Sequence, residues 1–522
     1  MQEGVRMKVD MNVGNFLDRA ALVFPDRLAL VDEESAPGNL GRITYGELNR
    51  RARGMAKAFD DMGVAQGERV ALISPNSGKF LVSYFGVSGY GRVLVPINYR
   101  LSEDELTYIV GHSGSTVLMV DPEYEDMTKH IKVQHLFVLD NVHDKELFAP
   151  LSDSSPGPKS WDADEDFTCS INYTSGTTAR PKGVQMTHRN AWINAVIFGW
   201  HTGVDDRDVL LHTLPMFHCN GWGMPYAVTA MGGTHVIQRK IDGENILQKI
   251  ENEGVTLLCG APAVWASVLD AATKRSEEGR GNPGRDLVRV VAAGAPPPSR
   301  TIERIEGELG WEFIQLYGLT ETSPLLTINR ATKEWDGLDQ VEKSRRLSWA
   351  GVPAIGIEIC CDNSGEVLAR GNHIFAGYWE NPDATGEALA GGWFHTGDGG
   401  HMEGPYLVIS DRKKDVIISG GENVSSVEVE DVLYQHPAVA EVAVIGVPDE
   451  KWGETVKALV VLRPKSEVTE GELRAFCKAK LAGFKCPTTI EFRDALARTA
   501  TGKLQKFKLR EPYWSGFERN IN

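Results

Sequence analysis

Tyr173-Thr174-Ser175-Gly176-Thr177-Thr178-Ala179-Arg180-Pro181-Lys182-Gly183 gathers hydroxylated side chains, glycines and one lysine into a single short run. Such a run can cradle a polyphosphate. Glycine lets backbone N–H groups approach an anion, the hydroxyls of Thr174, Ser175, Thr177 and Thr178 add donors, and Lys182 supplies a point charge. Local composition alone is equally served by an ordinary Gly/Ser/Thr turn. The flanks sharpen the reading: a polar stretch, 153–166, leads into the apolar run 167–173, which reads as a strand, so the cradle follows a strand.

Two other nucleotide fingerprints drop out. No Gly-x4-Gly-Lys-Ser/Thr is present. Gly279, Gly281 and Gly284 satisfy Gly-x-Gly-x-x-Gly, but charged residues and no apolar strand precede them, so they read as a solvated loop. Upstream of the cradle, apolar strands at 70–74 and 93–97 alternate with a helical pattern at 44–62, which predicts an α/β fold of helix-flanked parallel sheets. Downstream come a helix from Arg189, a strand at 290–293 and a charged excursion over 331–346. Beyond Arg412 the order is helix 425–434, strands 439–446 and 455–462, helix 469–481 and strand 489–492, a compact α+β unit.

At 522 residues the chain exceeds one ordinary domain. Its formal charge of −16 argues against general nucleic-acid or anionic-membrane binding. From Asp411 onward 18 basic residues face 17 acidic ones, so the negative excess lies in the preceding residues. That shift predicts a large domain over 1–411 and a small one over 412–522. No run of eighteen apolar residues marks a membrane span, residues 1–10 lack the apolar core of a signal peptide, and seven cysteines without CxxC spacing suit a reduced compartment. A cytoplasmic location is expected.

Further blocks turn the cradle into a constellation. Gln315-Leu316-Tyr317-Gly318-Leu319-Thr320-Glu321-Thr322 follows a short apolar run, and Trp393-Phe394-His395-Thr396-Gly397-Asp398 lies downstream. Asp411-Arg412-Lys413-Lys414-Asp415 comes next, and Thr499-Ala500-Thr501-Gly502-Lys503 falls near the end. In this order the blocks resemble the adenylate-forming superfamily of acyl-CoA synthetases, luciferases and peptide-synthetase adenylation domains, over nearly the whole chain. The resemblance implies an α/β fold: a large N-terminal domain of helix-flanked sheets with a small mobile α+β C-terminal domain. It further implies an acid–CoA ligase that makes an acyl-adenylate and then a CoA thioester, alternating domain positions between the half-reactions. Its ligands would be ATP or acyl-AMP, Mg2+ and coenzyme A, with a carboxylic acid as substrate.

The resemblance also distributes roles. Thr174, Ser175, Gly176, Thr177, Thr178 and Lys182 would embrace the β- and γ-phosphates, Thr320 would touch the α-phosphate, and Glu321 would hold the metal. Asp398, in a short turn after Gly397, would bind ribose. Tyr317 would face adenine, opposite the Gly294-Ala295-Pro296 loop. Lys503 would bridge the carboxylate and α-phosphate during adenylation, Arg412 would contact the nucleotide, and Lys414 would lie at the hinge. Gly420 and Gly421 would meet the CoA thiol, although a Gly-Gly turn between strand and helix serves the local sequence equally well. Met216-Phe217-His218-Cys219-Asn220-Gly221-Trp222 resembles the acyl-pocket motif, with His218 near the carboxylate and Trp222 and Gly318 near the acyl chain.

The pattern is broken at Ala179, where the family has glycine; at 397–406, where an acidic-Gly-Tyr turn is missing; and at Ala497, where proline is common. A Cβ at 179 limits positive φ. An alternative therefore stands beside the full ligase: thioesterification alone, with a separate adenylating enzyme supplying the acyl-adenylate. A regulatory nucleotide binder is a third reading, opposed by the joint presence of Lys182, Glu321, Asp398, Arg412 and Lys503. With 19 residues after Lys503, no carrier domain is expected.

Overall fold

The computed structural model describes residues 9–161, 164–174, 181–412, 415–419, 422–449, 452–498 and 504–514. Of the expected site, Ser175, Gly176, Thr177, Thr178, Lys414, Gly420, Gly421 and Lys503 lie outside the described residues, as do Ala179 and the Arg412 side chain.

Local chemistry sets the elements as the sequence suggests. Helix Tyr45–Asp61 begins where the Thr44 hydroxyl accepts from the Glu47 amide, and Leu48, Ala52, Met55 and Phe59 line its buried face at three- and four-residue spacing. The strand Val93–Ile97 is buried along its whole length, as an interior strand covered on both faces must be.

Among the described residues, two large sheets build the N-terminal domain. One has nine strands and runs from Val352–Pro353 through Leu325–Arg330, Glu312–Gly318, Arg289–Ala292, Leu257–Gly260 and Val209–His212 to Thr234–Ile237, Leu28–Val31 and Arg42–Thr44. The other has seven, in the order Gly377–Tyr378, Lys182–Thr187, Thr168–Thr174, Val93–Ile97, Arg69–Ile73, Ser115–Val120, His135–Val138. Their centres are parallel, as expected, but both sheets turn antiparallel near the nucleotide blocks: Thr168–Thr174 against Lys182–Thr187, and Glu312–Gly318 against Leu325–Arg330. The charged excursion resolves into a short helix, Gln340–Leu347, with Glu342 paired to Arg345 and Arg346 on its surface.

A third sheet, antiparallel and four-stranded, joins Ile357–Cys361, Glu366–Gly371, Phe394–Glu403 and Tyr406–Arg412. The next strand, Ile417–Ser419, belongs to a separate sheet with Glu422–Val424, Gly453–Leu462, Val439–Asp449 and Thr489–Phe492. Helices Ser426–Tyr434 and Glu470–Lys478 cover it, and Ile417, Val429, Leu433, Val442, Val456 and Leu473 form a core of its own. The large N-terminal and small C-terminal domains follow. All seven cysteines are described and carry free thiols.

One contact ties the domains at a helix end. Helix Ser299–Arg304 of the large domain has Pro298 at its N-cap, a residue without a capping side chain. Asp431 of the small domain takes that place: its carboxylate accepts from the Ser299 amide at 2.9 Å and the Ser299 hydroxyl at 3.0 Å.

Candidate active site

The two ends of the cradle meet. Thr174 and Lys182 are paired in register across antiparallel strands. A short strand, Gly377–Tyr378, adds to the outer edge of Lys182–Thr187, and the Trp379 amide donates to the Gly183 carbonyl at 2.7 Å.

The second block ends the strand Glu312–Gly318. A Cβ on Gly318 would lie 1.6 Å from the Pro324 carbonyl oxygen, so only glycine lets the chain double back here. Thr320–Thr322 then forms one 3-10 turn, closed by the Thr322 hydroxyl, which accepts from the Leu319 amide and donates to the Leu319 carbonyl, both at 2.9 Å. Ala292 pairs with Gln315, and two residues farther along each chain stand Gly294 and Tyr317, which brings the Gly294-Ala295-Pro296 loop beside the tyrosine.

Tyr317 reaches the third block. Its hydroxyl donates to Asp398 at 2.9 Å, and Asp398 is only 7% exposed. Asp398 corrects the expected turn: it sits within the strand Phe394–Glu403, paired with Arg412, because the left-handed Gly397 before it (φ +71°) is absorbed in the ladder. That pairing also brings the backbone at Arg412 beside Asp398.

The acyl motif adopts an unusual backbone. Cys219, Asn220, Gly221, Trp222 and Gly223 all have φ between +47° and +79°, a left-handed turn containing three residues that carry a Cβ. Each such residue costs about 1–2 kcal/mol, so side chains must hold it. Asn220 donates to Ser170 at 2.8 Å, Asn172 donates to the side-chain oxygen Oδ1 of Asn220 at 3.3 Å, and Asn194 donates to the Trp222 backbone carbonyl at 3.1 Å. Asn194 also accepts from the Leu325 amide at 3.2 Å, just beyond the Thr320–Thr322 turn. His218 is half-buried and Trp222 is 3% exposed. The Cys219 thiol lies 3.9 Å from the Thr320 carbonyl; burial, with the Glu321 charge nearby, pushes its pKa up and keeps it a neutral thiol.

Sequence reasoning missed Tyr378. Its hydroxyl donates to Glu321 Oε1 at 2.9 Å, and its ring lies under Lys182, with Nζ 4.7 Å from the centroid. A tyrosine between glycine and tryptophan carries no pattern of its own. The signal available was its position at a sheet edge, which only the pairing reveals. The structure thus joins Lys182 to Glu321, Tyr317 to Asp398 and the His218–Gly223 turn to Thr320.

Comparison with known proteins agrees with this geometry. The family model described as AMP-binding enzyme matches residues 17–379, and AMP-binding enzyme C-terminal domain matches 428–503. The chain is 36% identical to a 2-methylpropanoate–CoA ligase of Humulus lupulus, covering 95% of this chain and 94% of that protein. It is 37% identical to 4-hydroxybutyrate–CoA ligase 2 of Metallosphaera sedula, covering 95% and 93%. A solved anthranilate CoA ligase in complex with anthranoyl-AMP superposes with a TM-score of 0.85 at 27% identity, covering 96% and 97%. Nothing in these matches favours the thioesterification-only alternative raised by Ala179. Among the described residues no helix is long and apolar enough to cross a membrane. The chain belongs to the AMP-binding enzyme family, in the acyl-CoA synthetase branch of the adenylate-forming superfamily.

Proposed function

We propose that this chain is an AMP-forming acid–CoA ligase that performs both half-reactions on a short-chain carboxylic acid. The observation that carries the reading is the convergence of Lys182, Glu321 and the Tyr317–Asp398 pair on the turn at Thr320. This is the charge pattern a nucleotide needs: a cation for the phosphates, a carboxylate for a hard cation, and a buried carboxylate for sugar hydroxyls.

In adenylation the substrate carboxylate oxygen attacks the α-phosphorus of ATP and pyrophosphate leaves. Positioning and electrostatics dominate such a step. Thr174, Ser175, Gly176, Thr177, Thr178 and Lys182 hold the β- and γ-phosphates, and Thr320 meets the α-phosphate. Glu321, a half-buried oxygen donor, fits Mg2+, which supplies charge neutralisation on the phosphates when bound. Asp398 accepts from the ribose hydroxyls, and Tyr317, with Gly294, Ala295 and Pro296 opposite, frames adenine. Lys503 bridges the reacting carboxylate and the α-phosphate.

The small domain, which we divide from the large one between residues 411 and 412, then turns about Lys414 and withdraws Lys503. Arg412 follows the nucleotide. Gly420 and Gly421 admit the CoA thiol, whose sulfur attacks the acyl carbonyl and releases AMP. His218, Trp222 and Gly318 line the acyl site. The bulk of Trp222, together with relatives named for 2-methylpropanoate and 4-hydroxybutyrate, supports a short acid. The test is acid-dependent pyrophosphate–ATP exchange, followed by a screen of acids read by acyl-CoA mass. Absence of exchange with every acid, while synthetic acyl-adenylates still give thioester, would overturn the two-step reading.

A further inference from the structure

We propose that Tyr378 is a positioning residue for nucleotide activation, holding Glu321 by its hydroxyl and Lys182 by its ring so that the two opposite charges address the nucleotide rather than each other. The inference rests on the ligase reading above.

Tyr378 spans two separate sheets. Its strand forms the edge of the seven-stranded sheet that carries Lys182, whereas Glu321 sits on the turn leaving the nine-stranded sheet. Between them stands one aromatic side chain. The hydroxyl donates to Glu321 Oε1 at 2.9 Å, and the ring centroid lies 4.7 Å from Lys182 Nζ. Lys182 and Glu321 meet the same tyrosine from opposite sheets, and direct pairing of the two would consume the charge that each offers a phosphate or a cation. An ionised carboxylate accepts at about four lone-pair sites, of which the tyrosine hydroxyl takes one. An ammonium on an aromatic face is attracted by the ring quadrupole and keeps its N–H groups for an anion on the far side.

The tyrosine is itself braced. Its amide donates to the Thr385 hydroxyl at 2.9 Å, and its ring meets Phe375 at 4.9 Å and 66°. The Phe375 amide donates to the Glu321 backbone carbonyl at 2.8 Å, and the Trp379 amide donates to the Gly183 carbonyl at 2.7 Å, so the segment 375–379 grips both nucleotide blocks by its backbone as well. Gly377 has φ +153°, and a Cβ there would meet Thr385 at 2.9 Å, which fixes the approach of the chain.

The test titrates Mn2+ into the full-length protein with saturating ATP, reading bound metal by electron paramagnetic resonance. Wild type, Tyr378→Phe, Glu321→Gln and the double variant are compared. Tyr378→Phe keeps the ring and removes one hydrogen bond to a charged acceptor, so the Mn2+ dissociation constant should rise by about tenfold. Because the effect runs through Glu321, the double variant should be no weaker than Glu321→Gln alone. Thr385→Val, which removes the acceptor bracing the Tyr378 amide, should give a smaller rise in the same direction. Wild-type Mn2+ affinity in both Tyr378→Phe and Thr385→Val, or losses that simply add in the double variant, would overturn the positioning role. A wild-type protein that binds no Mn2+ with ATP would overturn the ligase reading itself.

Discussion

The Tyr317 hydroxyl donates a 2.9 Å hydrogen bond to the buried carboxylate of Asp398, so the residue expected to face adenine also orients the residue expected to hold ribose. One carboxylate oxygen is thereby held in place, a preset acceptor for the sugar hydroxyls assigned to it under the proposed function. Asp398→Ala should raise KM for ATP by roughly ten- to hundredfold, the loss of one or two hydrogen bonds to a charged group. The same change should leave KM for 2′,3′-dideoxy-ATP nearly untouched. Equal damage with both nucleotides would remove Asp398 from the ribose site.

Lys503→Ala should abolish acid- and ATP-dependent product while largely sparing conversion of preformed acyl-adenylate and CoA. In the proposed function the lysine serves only the adenylation arrangement, and a single charge acts far more strongly in a dry site than in water. Parallel assays of pyrophosphate–ATP exchange and of thioester release from synthetic acyl-AMP separate the steps. A matching fall in both would sink this division of labour.

Trp222→Ala should shift acid preference toward longer chains. Each methylene accommodated or refused in an apolar pocket is worth roughly 1–3 kcal/mol, so kcat/KM for a six-carbon acid relative to a four-carbon one should rise by at least about tenfold. Because Asn194 holds the Trp222 backbone carbonyl, the turn itself should survive the truncation. Competition between the two acids, read by acyl-CoA mass, measures the ratio directly, and an unchanged ratio would place Trp222 outside the acyl site.

His188 predicts part of the acid sensitivity of the fold. Burial lowers its pKa from the ordinary 6.5 to about 3; Nδ1 accepts from the Val13 amide, and Nε2 has no partner among the described residues. The unfolded chain therefore binds this proton first as pH falls. The stability is present above about pH 6.5 and is lost progressively toward pH 3, at about 1.4 kcal/mol per pH unit. His188→Gln should flatten the pH dependence of the large domain's urea stability between pH 6 and 4 by about one proton's worth. A slope identical to wild type would mean that the imidazole is already protonated in the native state.

Much of this architecture was legible in the chain. The helix at Tyr45–Asp61, the strand leading into the cradle and the order of the small domain between residues 425 and 492 follow from apolar spacing and caps, which act within a few residues, whereas the short strands Ile417–Ser419 and Glu422–Val424 and the helix Lys506–Trp514 do not. What escaped depends on partners distant in sequence. The antiparallel edges are set by which strand lies alongside, and Asp398, expected in a turn because a glycine precedes it, lies in a paired strand where Gly397 adopts a turn-like φ. The left-handed run at 219–223 is held by Ser170, Asn172 and Asn194, so no local rule announces it. Tyr378 acquires its role only when two sheets are brought together.

Asp431 capping the helix at Ser299 gives the molecule a built-in clock hand. Any departure of the small domain strips the Ser299 amide of its acceptor and hands it to solvent. Deuterium uptake at that one amide therefore records how long the two domains spend apart, and titrating in nucleotide or CoA reads the residence time of each arrangement without a label or a substitution.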